Sequence, residues 1–241
     1  MKVSIVIPAF NEERLLPQSL AAITAASSAF AAAGWTTEVV VCDNNSTDRT
    51  GEIAAAAGAI VVFEPINQIG RARNTGASRA SGDWLLFVDA DSFPSTELFA
   101  SVVTAIGGGS CVAGGSTVRV DLEGFVYAAG IGWWNLVSRT LKWAAGSFIF
   151  CETAAFREVG GFTEKLYAAE EIDLFRRLKR LARKRHRSIV ILHHHPLLTS
   201  ARKAHLYTIR ELLRFWARTV LSGGRTFRNR EGAFPWYDGR R

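Results

Sequence analysis

The chain has 241 residues, of which 48% are hydrophobic and 21% charged; this is enough apolar material for one large folded domain and excludes a disordered chain. Three cysteines, Cys42, Cys111 and Cys151, are too few and too scattered for a disulfide framework or a zinc knuckle, and they fit a reducing compartment. The net charge of +7 is split: residues 176–241 carry 18 Lys/Arg against three Asp/Glu, and residues 1–175 carry 11 against 19, so candidate acids gather in the first part and a basic surface in the second.

The opening Val3-Ser4-Ile5-Val6-Ile7 is a short β-branched run that stops at Pro8, as a buried strand does. Asn11-Glu12-Glu13 reads as a polar helix start. A second strand, Glu38–Cys42, ends in Asp43-Asn44-Asn45-Ser46-Thr47-Asp48, which offers caps to a helix over 49–57. Strand 59–63, helix 74–80 and strand 84–88 follow. The last of these ends at Asp89-Ala90-Asp91. Strand alternating with helix predicts an α/β fold with a mostly parallel central sheet flanked by helices, and polar clusters after the strands mark the ligand edge of such a sheet. Beyond residue 100 the spacing predicts a helix over 95–106, strands near 110–115 and 118–122, and a helical stretch. A strand over 147–151, a helix over 171–187, a strand over 188–192 and a helix over 205–221 complete the reading. We expect one domain over 1–221, in two halves (1–105 and 106–221). The Gly- and Arg-rich segment 222–241 is expected as a loosely held tail. The apolar stretches 19–33 and 124–138 are too short to span a bilayer, and the opening lacks a signal-peptide pattern, so no transmembrane helix and a cytoplasmic location are expected.

Asp89-Ala90-Asp91 carries the most chemistry. In extended chain, residues i and i+2 point the same way, so both carboxylates can face one ligand. Hard oxygen donors at the mouth of a parallel sheet suit Mg²⁺ or Mn²⁺ shared with a diphosphate. The alternative is a plain helix cap at Asp91-Ser92; the apolar run before it and the second acidic loop at Asp43 favour the functional reading.

Several ordered segments resemble family 2 glycosyltransferases: Val3–Glu13, Val40–Thr50, Gly70-Arg71-Ala72-Arg73-Asn74-Thr75-Gly76-Ala77, and Ala80–Asp91 leading into Asp-x-Asp. Gly160-Gly161-Phe162 followed by Glu170-Glu171-Ile172-Asp173 is similar to the family's late acidic motif, and Ser200-Ala201-Arg202-Lys203 resembles a Ser-Ala-Arg-Arg run of some members. The resemblance implies a nucleotide-diphospho-sugar transferase fold of the GT-A, Rossmann-like type. It also implies inverting transfer from a nucleotide-diphospho-sugar to an unknown acceptor hydroxyl, assisted by Mg²⁺ or Mn²⁺. Pro8, Phe10 and Glu12 would then lie along the nucleotide, Asp43 would bond the base, Asp89 the ribose or a metal-bound water, and Asp91 would coordinate the metal, with Asp89 beside it. The late pair supplies the general base; it reads Glu170-Glu171 where the family has Glu-Asp, which puts Glu171 in the base position and Glu170 second. Without the resemblance, that pair reads as acidic decoration of a helix N-terminus.

Arg71 and Arg73, just before the helix expected at Asn74, could form a diphosphate site, with Arg73 favoured for a phosphate or base contact. Arg202 and Lys203 could close over the diphosphate from a late loop. His193-His194-His195 could add an imidazole ligand or stand at the surface. The 205–221 helix carries Leu206, Ile209, Leu213, Trp216 and Val220 on one face and Arg210, Arg214 and Arg218 as a stripe. Packing that face on the core competes with peripheral contact on an anionic membrane, where an acceptor carried on a lipid would be met at the inner face. Trp133, Trp134 and Trp143 read as core, with an acceptor wall as the alternative. A sugar nucleotidyltransferase is disfavoured because Pro8-Ala9-Phe10-Asn11 stands where its glycine-rich turn belongs. Nucleic-acid binding by the basic part is disfavoured because no RNA motif accompanies the charge.

Overall fold

The computed structural model describes every residue except 122–124, 203–205, 207 and 238–241. One sheet of eight strands runs in the order β3-β2-β1-β4-β7-β6-β8-β5. Strands β1 (Lys2–Ala9), β2 (Thr36–Asp43), β3 (Ile60–Phe63) and β4 (Trp84–Val88) are parallel. The inner strands carry the buried apolar runs, with all five residues of β4 buried, whereas edge strand β3 leaves Val61 and Phe63 exposed. The crossovers are helices α1 (Leu16–Ala26) with the short α2 (Ser28–Ala32), α3 (Thr50–Ala56) and α4 (Ile69–Arg79). The chain steps outward from β1 to β3 and then returns to the other side of β1 at β4, which opens a crevice at the carboxyl ends of β1 and β4.

The second half departs from pure alternation. After the short β5 (Ser92–Phe93) and α5 (Thr96–Gly107) come β6 (Cys111–Val120), α6 (Phe125–Leu141), β7 (Phe148–Glu152), α7 (Thr153–Glu158), α8 (Glu170–Lys184) and β8 (Ser188–Thr199). Strand β7 lies antiparallel between β4 and β6, while β6 and β8 are parallel. The two strands expected over 110–122 are one, with a register shift between Ser116 and Val118. Opposite that shift, β8 passes from Leu192 to Leu197, so His193–Pro196 bulge out of the ladder. Two cores cover the sheet. Leu16, Ile23, Phe30 and Phe99 pack with β1 and β4 residues on one face, and Phe156, Phe162, Leu174, Phe175 and Leu178 on the other.

Four local expectations change. Asn11 takes a left-handed φ of 52° and α1 starts only at Leu16, because Phe10 to Leu15 is spent on a loop after β1, which runs through Pro8 to Ala9. Helix α4 starts at Ile69, so Arg71 and Arg73 lie inside it rather than ahead of it. Trp133 is 69% exposed, whereas Trp134 packs on the core. The segment after Ser222, expected to be loosely held, includes a 3₁₀ turn (Arg225–Arg228) and a one-turn helix (Phe234–Tyr237), with Ala233 and Tyr237 buried against Ile69 and Tyr167.

The late helix is α9 (Ile209–Leu221). Its Phe215 and Thr219 are buried, with Phe215 against Phe227 and Phe234, and Arg210, Arg214 and Arg218 stand exposed. Lys203 and His205, and the side chains of Ile209, Leu213, Trp216 and Val220, lie outside the described residues. Among the described residues, no helix is long and apolar enough to cross a membrane.

Candidate active site

Parallel pairing sends the carboxyl ends of β1, β2 and β4 to one edge, and the loops there are knitted by side chains. The Asn11 amide donates to Ser46 Oγ (3.0 Å), the Thr47 amide to Asn11 Oδ1 (2.8 Å) and the Glu12 amide to Thr50 Oγ1 (2.8 Å). The loops after β1 and β2 therefore form one polar rim. Asp43, half-buried at the end of β2, accepts from the Ser46 amide (2.9 Å). Pro8 and Phe10, both half-buried, flank it.

Asp89-Ala90-Asp91 is a turn, not an extended triplet: the Ser92 amide donates back to the Asp89 carbonyl (3.1 Å). Its two carboxylates accordingly meet different cations. Asp89 Oδ1 lies 2.9 Å from Arg73, and Asp91 Oδ2 lies 3.5 Å from Arg202. Arg202 also makes a forked pair with Glu12 at 2.6 and 2.8 Å, so residues 190 positions apart close one side of the mouth. Neither the early nor the late motif shows locally that they meet.

Arg73 is the hinge of the other side. It is 3% exposed and its guanidinium donates to Asp89, to Glu170 (2.7 Å) and to the Gly146 carbonyl (2.9 Å). Burial works against its charge, but Asp89, Glu170 and Glu171 outweigh this and hold it charged. In this arrangement Arg73 forms a clamp across two acidic motifs. Arg71 is turned outward to Glu64 and Glu164.

Helix α8 begins at the acidic pair, after Ala169 in a left-handed conformation (φ 63°). Three acids in its first turn suit the positive helix end. Their neighbourhoods differ. Glu170 is buried and locked onto Arg73, and burial still raises its carboxyl above the usual range. Glu171 is half-buried, and burial together with the adjacent Glu170 pushes it up to about 8. The preceding loop is anchored by Asn74, whose side chain bonds both the amide and the carbonyl of Phe162 at 2.9 Å. Gly161 permits this: it has φ +66°, and a Cβ there would lie 2.7 Å from Asn74 Oδ1. The Tyr237 hydroxyl accepts from the Ile69 amide at the start of α4 (3.1 Å). Nothing in the sequence signals that contact.

Asp89 and Asp91 are hard oxygen donors, and among the described residues no third His, Cys, Asp or Glu joins them in a cluster that could enclose a metal. A cation such as Mg²⁺ or Mn²⁺, which keeps waters and shares substrate phosphates, fits one or two carboxylates; a fully protein-enclosed metal does not. His193, His194 and His195 are all exposed in the bulge of β8.

Residues 4–159 match the family model described as glycosyl transferase family 2. The chain belongs to glycosyl transferase family 2. An uncharacterized glycosyltransferase of Mycobacterium tuberculosis is 42% identical over 89 residues, 37% of this chain and 36% of that protein. Dolichol-phosphate mannosyltransferase of Pyrococcus furiosus is 34% identical over 124 residues, 48% of this chain and 33% of that protein. The chain thus matches about a third of the length of these curated relatives. The family 2 fold is matched by the mannosyltransferase PcManGT from Pyrobaculum calidifontis, solved with GDP-Man and Mn²⁺. Its TM-score is 0.65 at 19% identity, over 81% of this chain and 56% of that one.

Proposed function

We propose that this family 2 chain transfers a sugar from a nucleotide-diphospho-sugar to an acceptor hydroxyl with inversion, using Glu171 as general base. The observation that carries this reading is the division of labour across Arg73. Its guanidinium occupies Glu170 and Asp89, while the next residue, Glu171, keeps a half-buried carboxyl of raised basicity at the same site. Glu170 is therefore a positioning residue, and the base role passes to Glu171.

In the step proposed, Glu171 takes the proton of the acceptor hydroxyl as that oxygen bonds the anomeric carbon from the face opposite the diphosphate. The carbon–oxygen bond to the diphosphate breaks, and the nucleoside diphosphate leaves with the electron pair. Pro8, Phe10 and Asp43 would line the nucleotide, on the rim that Asn11 and Ser46 hold together. Asp91, with Asp89, would hold Mg²⁺ or Mn²⁺; when bound, that ion neutralises charge on the leaving diphosphate. Arg202, drawn toward Asp91 by Glu12, brings a cation to the same leaving group. The mannosyltransferase neighbour was solved with a GDP-sugar and Mn²⁺, and a curated relative is named for dolichol phosphate. These support a metal-assisted donor site and an acceptor carried on a lipid.

The test is turnover of UDP-, GDP- and dTDP-sugars, read as released nucleotide, with Mg²⁺ or Mn²⁺ and with EDTA. Glu171→Gln should lower kcat by about 10²–10⁴, and Asp91→Asn should abolish turnover without lowering the melting temperature. Full activity of either variant, or turnover indifferent to EDTA, would refute the corresponding role.

A further inference from the structure

Between residues 128 and 137 helix α6 carries one polar side chain, the inward Asn135, yet its opposite, apolar side faces water. Ile131 and Trp134 pack on the core, Asn135 bonds both backbone groups of Val118, and Ser138 is buried, which defines the inner side. The outer side presents Ala129, Gly132, Trp133, Leu136 and Thr140; Trp133 is 69% and Leu136 53% exposed, and Leu141 at the helix end is 46% exposed. An apolar patch of this kind, left uncovered on a helix, marks a surface that meets another apolar phase.

The neighbouring helix says what kind. Lys179 of α8 donates to the Leu141 carbonyl, and Arg176 and Lys179 lie 5.9 and 5.5 Å from the centre of the Trp143 ring. Arg176, Arg180 and Arg183 are exposed at helical spacing on one side of α8, and Arg139 and Lys142 are exposed at the end of α6. No acidic residue interrupts either row between 125 and 142 or between 174 and 187. An exposed Trp and two Leu beside a row of cations match the acyl boundary and anionic headgroups of a bilayer. A second copy seated on this face would bring the two cationic rows together, which opposes a self-pair.

We propose that the α6–α8 surface docks reversibly onto an anionic lipid bilayer, with Trp133, Leu136 and Leu141 entering the interface and Arg139, Lys142, Arg176, Arg180 and Arg183 meeting the headgroups. The face is continuous with the site, since the carbonyl of Gly146, just beyond Trp143, accepts from Arg73.

Co-sedimentation with phosphatidylcholine vesicles, with and without phosphatidylglycerol, tests this. The parent chain should bind only the anionic vesicles and come off as salt rises. Trp133→Glu with Leu136→Glu should lower partitioning at least tenfold, and Arg176→Gln with Arg180→Gln by about fivefold per cation removed. All four residues are exposed or at the rim, so melting temperatures should stay unchanged. Equal binding to neutral vesicles, binding that survives both double variants, or binding lost only on Arg210→Gln, Arg214→Gln and Arg218→Gln in α9 would overturn the proposal. So would self-association that Trp133→Glu abolishes without any vesicle binding. The readout needs no sugar donor, so its failure leaves the proposed transfer standing, and the reverse.

Discussion

Two adjacent glutamates, chemically identical, end in different surroundings because one guanidinium reaches only one of them closely. Glu170 is paired with Arg73 at 2.7 Å, whereas Glu171 feels Arg73 from further away and Glu170 at close range. A base must be unprotonated in the free enzyme, so kcat/KM should rise about tenfold per pH unit below about 8 and level off above it; a pH–rate profile flat from 6 to 9 would exclude Glu171. Stability runs the other way. A carboxyl raised in the fold binds its proton more tightly folded than unfolded, so its contribution is complete below the ordinary carboxylate range near 4 and is lost as pH climbs through about 8. Glu171→Gln should therefore melt above the parent at pH 9 and level with it at pH 5. Arg73→Ala leaves the buried Glu170 carboxylate uncompensated and should cost about 3–5 kcal/mol in urea unfolding. A loss below 1 kcal/mol would mean the clamp is not what holds α4 to α8. The acidic pair is a candidate in the sequence only through the family resemblance; which member is locked no local pattern shows, since Arg73 lies 97 positions from Glu170.

Among the elements, α4 is the one whose placement decides the site. A Cβ at Gly76 would stand 2.5 Å from Val6 Cγ1, so the helix rests directly on β1 with no room for a methyl group. Gly76→Ala should cost about 1–3 kcal/mol by overpacking and reduce turnover as well, because the same helix carries Arg73; unchanged stability would show that β1 yields. At the other end of α4, the Ile69 amide belongs to the first helical turn, whose donors lack intrahelical partners. Tyr237→Phe strips that amide of its acceptor and should cost about 1–3 kcal/mol. Strand and helix types were readable from apolar periodicity. The start of α4 was misplaced because Gln68 and Ile69 are secured by distant partners: Gln68 donates to the Glu164 and Leu166 carbonyls, and Ile69 to Tyr237.

At the level of the whole molecule, donor binding should link to stability. Nucleotide-sugar at a hundredfold excess over its Kd should add about 2.7 kcal/mol, and the shift should vanish with EDTA if the cation is part of the site; a shift indifferent to metal would separate nucleotide binding from Asp91. The charge split between the two parts of the chain follows the architecture, with acids at the strand ends and first turn of α8, and cations along the outer sides of α8 and α9. The sequence by itself determined the α/β alternation and the family, because these are written in runs of apolar residues and in motifs a few residues long. Only the tertiary structure decided that Asp89 and Asp91 part toward different cations, that Glu12 meets Arg202, that Arg73 joins two acidic motifs and that Trp133 faces water. Those are contacts between segments far apart in the chain, settled by how the helices seat on a twisted sheet, and no local pattern encodes that seating.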